Sequence, residues 1–106
     1  MAGMSDDVVW EIEGTGGAID GTYRGKDEVT GFFGKLFEAT NGTFKSTPEF
    51  FVADDDHLVA YCRMTAERAG KSLDSGQVGI YDVRDGLTTR ARFAYPDARA
   101  VSEFWS

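Results

Sequence analysis

Between Asp27 and Thr40 the large apolar residues fall on one stripe. Val29, Phe32, Phe33, Leu36 and Phe37 recur at i, i+3, i+4, i+7 and i+8, while Lys26, Glu28, Lys35 and Glu38 lie outside the stripe. That period predicts an amphipathic α-helix over residues 27–40. Asp27 and Glu28 fall in its first turn, where the helix dipole favours negative charge, and Asn41-Gly42 supplies a left-handed stop. Each side chain on the stripe contributes on the order of 1.5–3 kcal/mol if fully buried. A broad apolar surface must therefore lie beneath this helix.

The rest of the chain reads as that surface. Asp7 to Glu13 is rich in β-branched and aromatic residues, alternates towards its end and stops at Gly14-Thr15-Gly16-Gly17. A short extended arm follows over Ile19 to Tyr23. Thr43 to Lys45 and Glu49 to Ala53 form a strand broken around Pro48, and Asp54-Asp55-Asp56 turns into a long strand, His57 to Arg68. Further strands are expected at Gln77 to Arg84 and Leu87 to Tyr95, joined by Asp85-Gly86, a strong signal for a two-residue type I′ hairpin. In a tight hairpin Tyr81 faces Arg90 and Gly79 faces Arg92, which puts Tyr81 and two arginines on one face. Asp97 to Ser106 reads as a short tail tucked in by Val101, Phe104 and Trp105. The expected class is α+β: a curved antiparallel sheet packed on one main helix, in a single domain spanning residues 1–106. Met1-Ala2-Gly3, ahead of a second methionine at Met4, reads as an extension without structural weight.

Composition narrows the function classes. The chain has 106 residues, enough for one core, and 42% of them are hydrophobic, far more than a disordered segment carries. Its net charge of −7 argues against nucleic acid, whose binding requires a basic surface. No apolar run approaches the length of a membrane span, and no basic-then-apolar leader opens the chain, so the expectation is no membrane contact and a cytoplasmic setting. A single cysteine, Cys62, leaves no intrachain disulfide and reads as a small buried hydrophobe. No phosphate loop, triad order or spaced metal-ligand cluster is present, and no cofactor is expected.

Candidate site residues come from the strands and the helix. Trp10, Tyr23, Phe33, Phe37, Tyr61, Tyr81 and Tyr95 supply enough aromatic surface to line a hydrophobic cavity or to build a plain core. Arg63 interrupts an apolar strand and needs a partner, Asp74 or Glu67, or a ligand. Two sets alternate along that strand: Leu58, Ala60, Cys62, Met64 and Ala66 are wholly apolar, while Val59, Tyr61, Arg63 and Thr65 are mixed. If the mixed set faces inward, Tyr61 and Arg63 become pocket groups able to bind a carbonyl or carboxylate. An arginine, Arg63 or Arg92, is then expected at the cavity wall. Glu11, Glu67, Asp74 and Asp82 are bases only if buried beside aromatics. His57, the single histidine, reads as a surface turn residue next to three aspartates.

The order of these motifs resembles a known family. Asp6 to Ile12, Gly21 to Asp27 before a Phe-Phe helix, Asp55-Asp56-His57-Leu58-Val59-Ala60, Val83-Arg84-Asp85-Gly86 and the closing Ser102-Glu103-Phe104-Trp105-Ser106 are similar to the SnoaL-like, polyketide-cyclase-like branch of the nuclear transport factor 2-like superfamily. The resemblance implies a cone-shaped fold, a bent sheet around helices and an apolar cavity at the wide end. It implies a small hydrophobic molecule as ligand and a homodimer or higher oligomer as assembly. It also opens isomerase, cyclase and epoxide-hydrolase chemistry, the last needing an Asp-Arg-Asp cluster such as Arg63 with Asp74 or Asp82. A non-catalytic dimerisation or protein-interaction module is the alternative. Two departures stand out. Family members carry one or two helices before the first strand, which here begins by Asp7, so another subunit covers the open side or the chain is a fragment. The last strand has Thr88 and Arg90 where the family often has isoleucine and an acidic residue.

Overall fold

The computed structural model describes residues 3–15 and 19–105. Six strands, β1 (Met4–Ile12), β2 (Gly21–Arg24), β3 (Lys45–Ala53), β4 (His57–Arg68), β5 (Lys71–Arg84) and β6 (Leu87–Ala94), form one sheet in the order β2-β1-β6-β5-β4-β3. Two helices, α1 (Gly25–Ala39) and α2 (Ala98–Trp105), complete the fold. Every pairing is antiparallel except β1 with β6, which run parallel, so the sheet is mixed. The α+β class and the single main helix agree with the sequence reading. Gly16 and Gly17 of the expected first turn lie outside the described residues.

Helix α1 forms where the stripe predicts it. The Glu28 carboxylate accepts the Arg24 backbone N–H at 2.9 Å, closing the first turn. At the other end Asn41 and Gly42 both have positive φ, 52° and 75°, and the Gly42 N–H reaches the Phe37 carbonyl at 2.8 Å. Val29, Phe32 and Leu36 are buried against β1 and β2, Phe33 is half-buried, and Phe37 is 52% exposed. The stripe is thus wider than the surface beneath it.

Three strand expectations change in detail. Met4 already belongs to β1 and the Gly3 carbonyl accepts the Thr88 N–H at 2.8 Å, so this stretch is part of the sheet. Strand β3 is continuous through Pro48, because a register shift between Pro48 and Phe50 absorbs the missing donor on an edge strand. Strand β5 starts at Lys71, pairing with β4 all the way back to Arg68 despite its polar residues.

The C-terminal segment is a helix, not a tail. The Asp97 carboxylate caps it by accepting the Ala100 N–H at 3.1 Å, and Val101, Phe104 and Trp105 bury their side chains at i, i+3 and i+4. It packs on β5. The Arg68 guanidinium donates to the Phe104 carbonyl at 2.9 Å and lies 5.6 Å from the Trp105 ring centroid.

A candidate ligand cavity between the helix and the sheet

The faces of β4 sort by polarity. Cys62, Met64 and Ala66 are buried and Leu58 and Ala60 half-buried, whereas Val59, Arg63 and Thr65 are exposed on the opposite side. Burying the wholly apolar set leaves no guanidinium to desolvate, and that difference decides the face. Tyr61 therefore lies outside, stacked on Phe50 with centroids 5.4 Å apart and planes 9° apart. Arg63 lies outside as well, its Nε donating to Asp74 Oδ1 at 2.6 Å. The expectation that Tyr61 and Arg63 are cavity groups is overturned.

A bulge settles the second arginine. The Asp85-Gly86 turn has positive φ at both residues, 53° and 78°, as a type I′ hairpin requires. Pairing runs Arg84 with Leu87 and Val83 with Thr88, but then Asp82 with Arg90, leaving Thr89 as an extra residue. Register slips by one, so Tyr81 faces Ala91 and Gly79 faces Phe93. Arg90 and Arg92 consequently join the outer face. There Arg90 contacts both Glu11 carboxylate oxygens, at 2.8 and 3.0 Å, and Arg92 reaches Asp82 at 3.1 Å. Arg92 is not at the cavity wall.

The inner face and α1 enclose a cavity of about 270 Å³. Trp10 and Ile12 of β1, Tyr81 of β5 and Phe93 of β6 form its sheet wall, and Phe32, Phe33 and Leu36 of α1 cover it. Trp105 of α2 closes one side, and Ile19 and Phe44 contribute from the connections. It reaches solvent beside β3, where the lining residues Ser46 and Pro48 are exposed. The aromatic rings interlock: Phe33 meets Trp10 edge-on at 5.0 Å, Phe93 lies 5.1 Å from Trp10, and Tyr81 meets Phe93 edge-on at 5.9 Å.

Trp10, Phe33, Tyr81 and Tyr95 are thus the sequence candidates that the fold brings together. Tyr23 stands apart, packed 4.7 Å from Phe32 with its hydroxyl donating to the Ile19 carbonyl at 2.7 Å. Phe37 points away from the cavity on the exposed flank of α1. Sequence reasoning passed over Met64, Gln77, Phe93 and Trp105 as pocket residues. Trp105 had a signal in the i, i+3, i+4 pattern behind Asp97, and Phe93 had one in strand alternation, readable only with the bulge in hand.

The polar content of the cavity is small and uncharged. Among the described residues its lining holds Ser46, Gln77 and the hydroxyls of Tyr81 and Tyr95, with no Asp, Glu, His, Lys or Arg. Burial pushes the Tyr81 phenol up to about 12, with Cys62 and Tyr95 adding to the effect. Burial also raises Tyr95, partly offset by a hydrogen bond with the Gln77 side chain. The carboxylates considered as bases lie elsewhere: Glu11, Asp74 and Asp82 on the outer face, and Glu67 in solvent. Asp74 is held below its usual value by the hydrogen bond from Arg63, the reverse of what a base requires. His57 is exposed and pairs with Asp54 at 3.0 Å.

Comparison with known proteins agrees with this architecture. Residues 1–91 match the SnoaL-like domain. The chain is 34% identical over 90 residues to the Mycobacterium tuberculosis protein Rv0034, covering 84% of this chain and 69% of that one. Bal32a, from a soil-derived mobile gene cassette, superposes with a TM-score of 0.91 at 30% identity, over 97% of this chain and 79% of its own. TerC, crystallised with polyporic acid, superposes with a TM-score of 0.82 at 26% identity, over 96% of this chain and 79% of its own. With the bent mixed sheet, the helix across its inner face and these matches together, the chain belongs to the SnoaL-like domain family.

Proposed function

We propose that this protein binds a small hydrophobic molecule in the cavity between α1 and the inner face of the sheet. The observation that carries this reading is the lining: an aromatic and aliphatic enclosure of about 270 Å³ with a few neutral polar groups and no charge among the described residues. The crystallisation of TerC with polyporic acid supports it, since a relative of the same fold accompanies an organic ligand. Isomerase or cyclase chemistry through a carboxylate or imidazole requires that group within hydrogen-bond reach of the ligand. Among the described residues the lining offers hydroxyls, an amide and indoles but no carboxylate or imidazole, so the reading is binding without a carboxylate base.

The neutral dye N-phenyl-1-naphthylamine tests this, because its emission rises in apolar surroundings. One saturable site per chain is expected. The Ser46→Trp variant, which places an indole at the mouth from an exposed position, should weaken binding at least tenfold with an unchanged melting temperature. Equal dye binding by this variant, or none by the parent, counts against the proposal.

A second reading concerns the outer face. Phe50 and Val52 on the edge strand, paired with Tyr61 and Val59, are 61% and 67% exposed, and Val59 is 38% exposed. Apolar surface on this scale is normally covered in a soluble assembly. A homodimer formed through the β3–β4 region is therefore also proposed. Sedimentation equilibrium should give about twice the chain mass, with Phe50→Glu returning it to one.

A further inference from the structure

We infer that the cavity is selective for an uncharged ligand bearing a carbonyl-type oxygen, and that Tyr81, Tyr95 and Gln77 are the residues that read that oxygen. This rests on the cavity being a ligand site, as proposed above. The three side chains come from one region of the sheet. Gln77 and Tyr81 lie four residues apart on β5 and so project to the same inner face, and Tyr95 directly follows β6. All three border the same cavity, and the Tyr81 ring lies back over Gly79, which stands between Tyr81 and Gln77 on that face. They make one polar corner in a lining that is otherwise almost wholly apolar.

Chemistry follows from the donor set. Both phenols keep their protons through neutral pH, because burial raises each of them, so the corner presents O–H and amide N–H donors to a ligand. A ketone, quinone or ester oxygen accepts such bonds at little desolvation cost. A carboxylate or phosphate must shed its hydration in the same space with no cation in the lining: Arg63, Arg90 and Arg92 are on the far side of the sheet, bound to Asp74, Glu11 and Asp82, and Arg68 is outside the lining, held by the Phe104 carbonyl and the Trp105 ring. The remaining space suits a flat ring system: Trp10, Phe33 and Phe93 present ring edges and faces, and about 270 Å³ admits two or three fused rings but no extended polycycle.

Selectivity is measurable with three probes of one size: naphthalene, 2-acetylnaphthalene and 2-naphthoate, each titrated at pH 7 by displacement of N-phenyl-1-naphthylamine. The ketone should bind about tenfold more tightly than the hydrocarbon, as a pair of neutral hydrogen bonds allows. The carboxylate should bind at least about tenfold more weakly than the hydrocarbon. Tyr81→Phe combined with Tyr95→Phe should bring the ketone down to the affinity that the same variant has for the hydrocarbon, which must still bind. That last comparison also shows that the variant keeps its pocket. If naphthalene binds but the ketone gains nothing, or its gain survives in the double variant, the selectivity is overturned while the binding reading stands. If 2-naphthoate binds as tightly as the ketone, neutrality is overturned. If the dye binds and no probe displaces it, the selectivity is overturned while the binding reading stands; if the dye itself does not bind, both readings fall together.

Discussion

Tyr81 depends on a glycine to sit where it does. A methyl group at Gly79 would stand 2.7 Å from both Cε2 and the hydroxyl of Tyr81, so the ring lies flat over the glycine two residues back along the same face. A ring held in a packed wall cannot yield as a flexible side chain would. Gly79→Ala should therefore cost about 1–3 kcal/mol in urea unfolding and perturb the Tyr95 corner. The buried phenol has a pH signature too. Its pKa is near 10 in the unfolded chain and about 12 in the folded one, so the stabilisation is complete below pH 10 and is lost as pH rises from 10 towards 12. The loss is on the order of 2–3 kcal/mol. Denaturation across this range, followed for the parent and for Tyr81→Phe, should show the variant losing less. On the outer face the sign of importance reverses. Arg63 and Asp74 are each more than half exposed, and Arg63→Ala should leave the urea unfolding midpoint nearly unchanged and dye binding as it was.

At the scale of elements, α1 carries two glycines that its packing does not use. A Cβ at Gly31 or Gly34 would meet nothing within 4 Å, so Gly31→Ala and Gly34→Ala should each stabilise the protein by roughly 0.5–1 kcal/mol. Thermal or urea unfolding checks this directly. The helix itself was legible because its apolar residues repeat at one period for which no strand offers an alternative. The β5–β6 hairpin was legible in its turn and not in its register. Asp85-Gly86 announces a type I′ turn, but nothing in the sequence marks Thr89 as an extra residue, and that one residue decides which face Arg90 and Arg92 occupy. A straight hairpin would drive both guanidiniums towards the core, so the bulge is the arrangement that avoids several kcal/mol of desolvation. Helix α2 was missed for a different reason. Eight residues are short for a periodic signal, and its cap at Asp97 and its contacts with Arg68 and β5 give it a support that isolated propensity does not supply.

For the whole molecule, one sheet separates two chemistries. The inner face and α1 hold an uncharged aromatic cavity, while the outer face carries arginine–carboxylate pairs and, towards the β3 edge, exposed aromatics. The class of fold could be read from residue patterns and family resemblance. Which side of the sheet faces the cavity turns on β4, whose two alternating sets differ in that only one carries a guanidinium to desolvate. The binding proposed for the inner face and the assembly proposed for the outer face use different residues, so Phe50→Glu should change the sedimenting mass without changing dye affinity.

The measurement that bears most directly on the central claim is a ¹H–¹⁵N NMR titration with N-phenyl-1-naphthylamine. Shifts should concentrate on the indole N–H signals of Trp10 and Trp105 and on the amides of Phe33, Gln77 and Phe93, which border the cavity. Shifts confined to Phe50, Phe51 and Tyr61 on β3 and β4, or none at saturating dye, would contradict it.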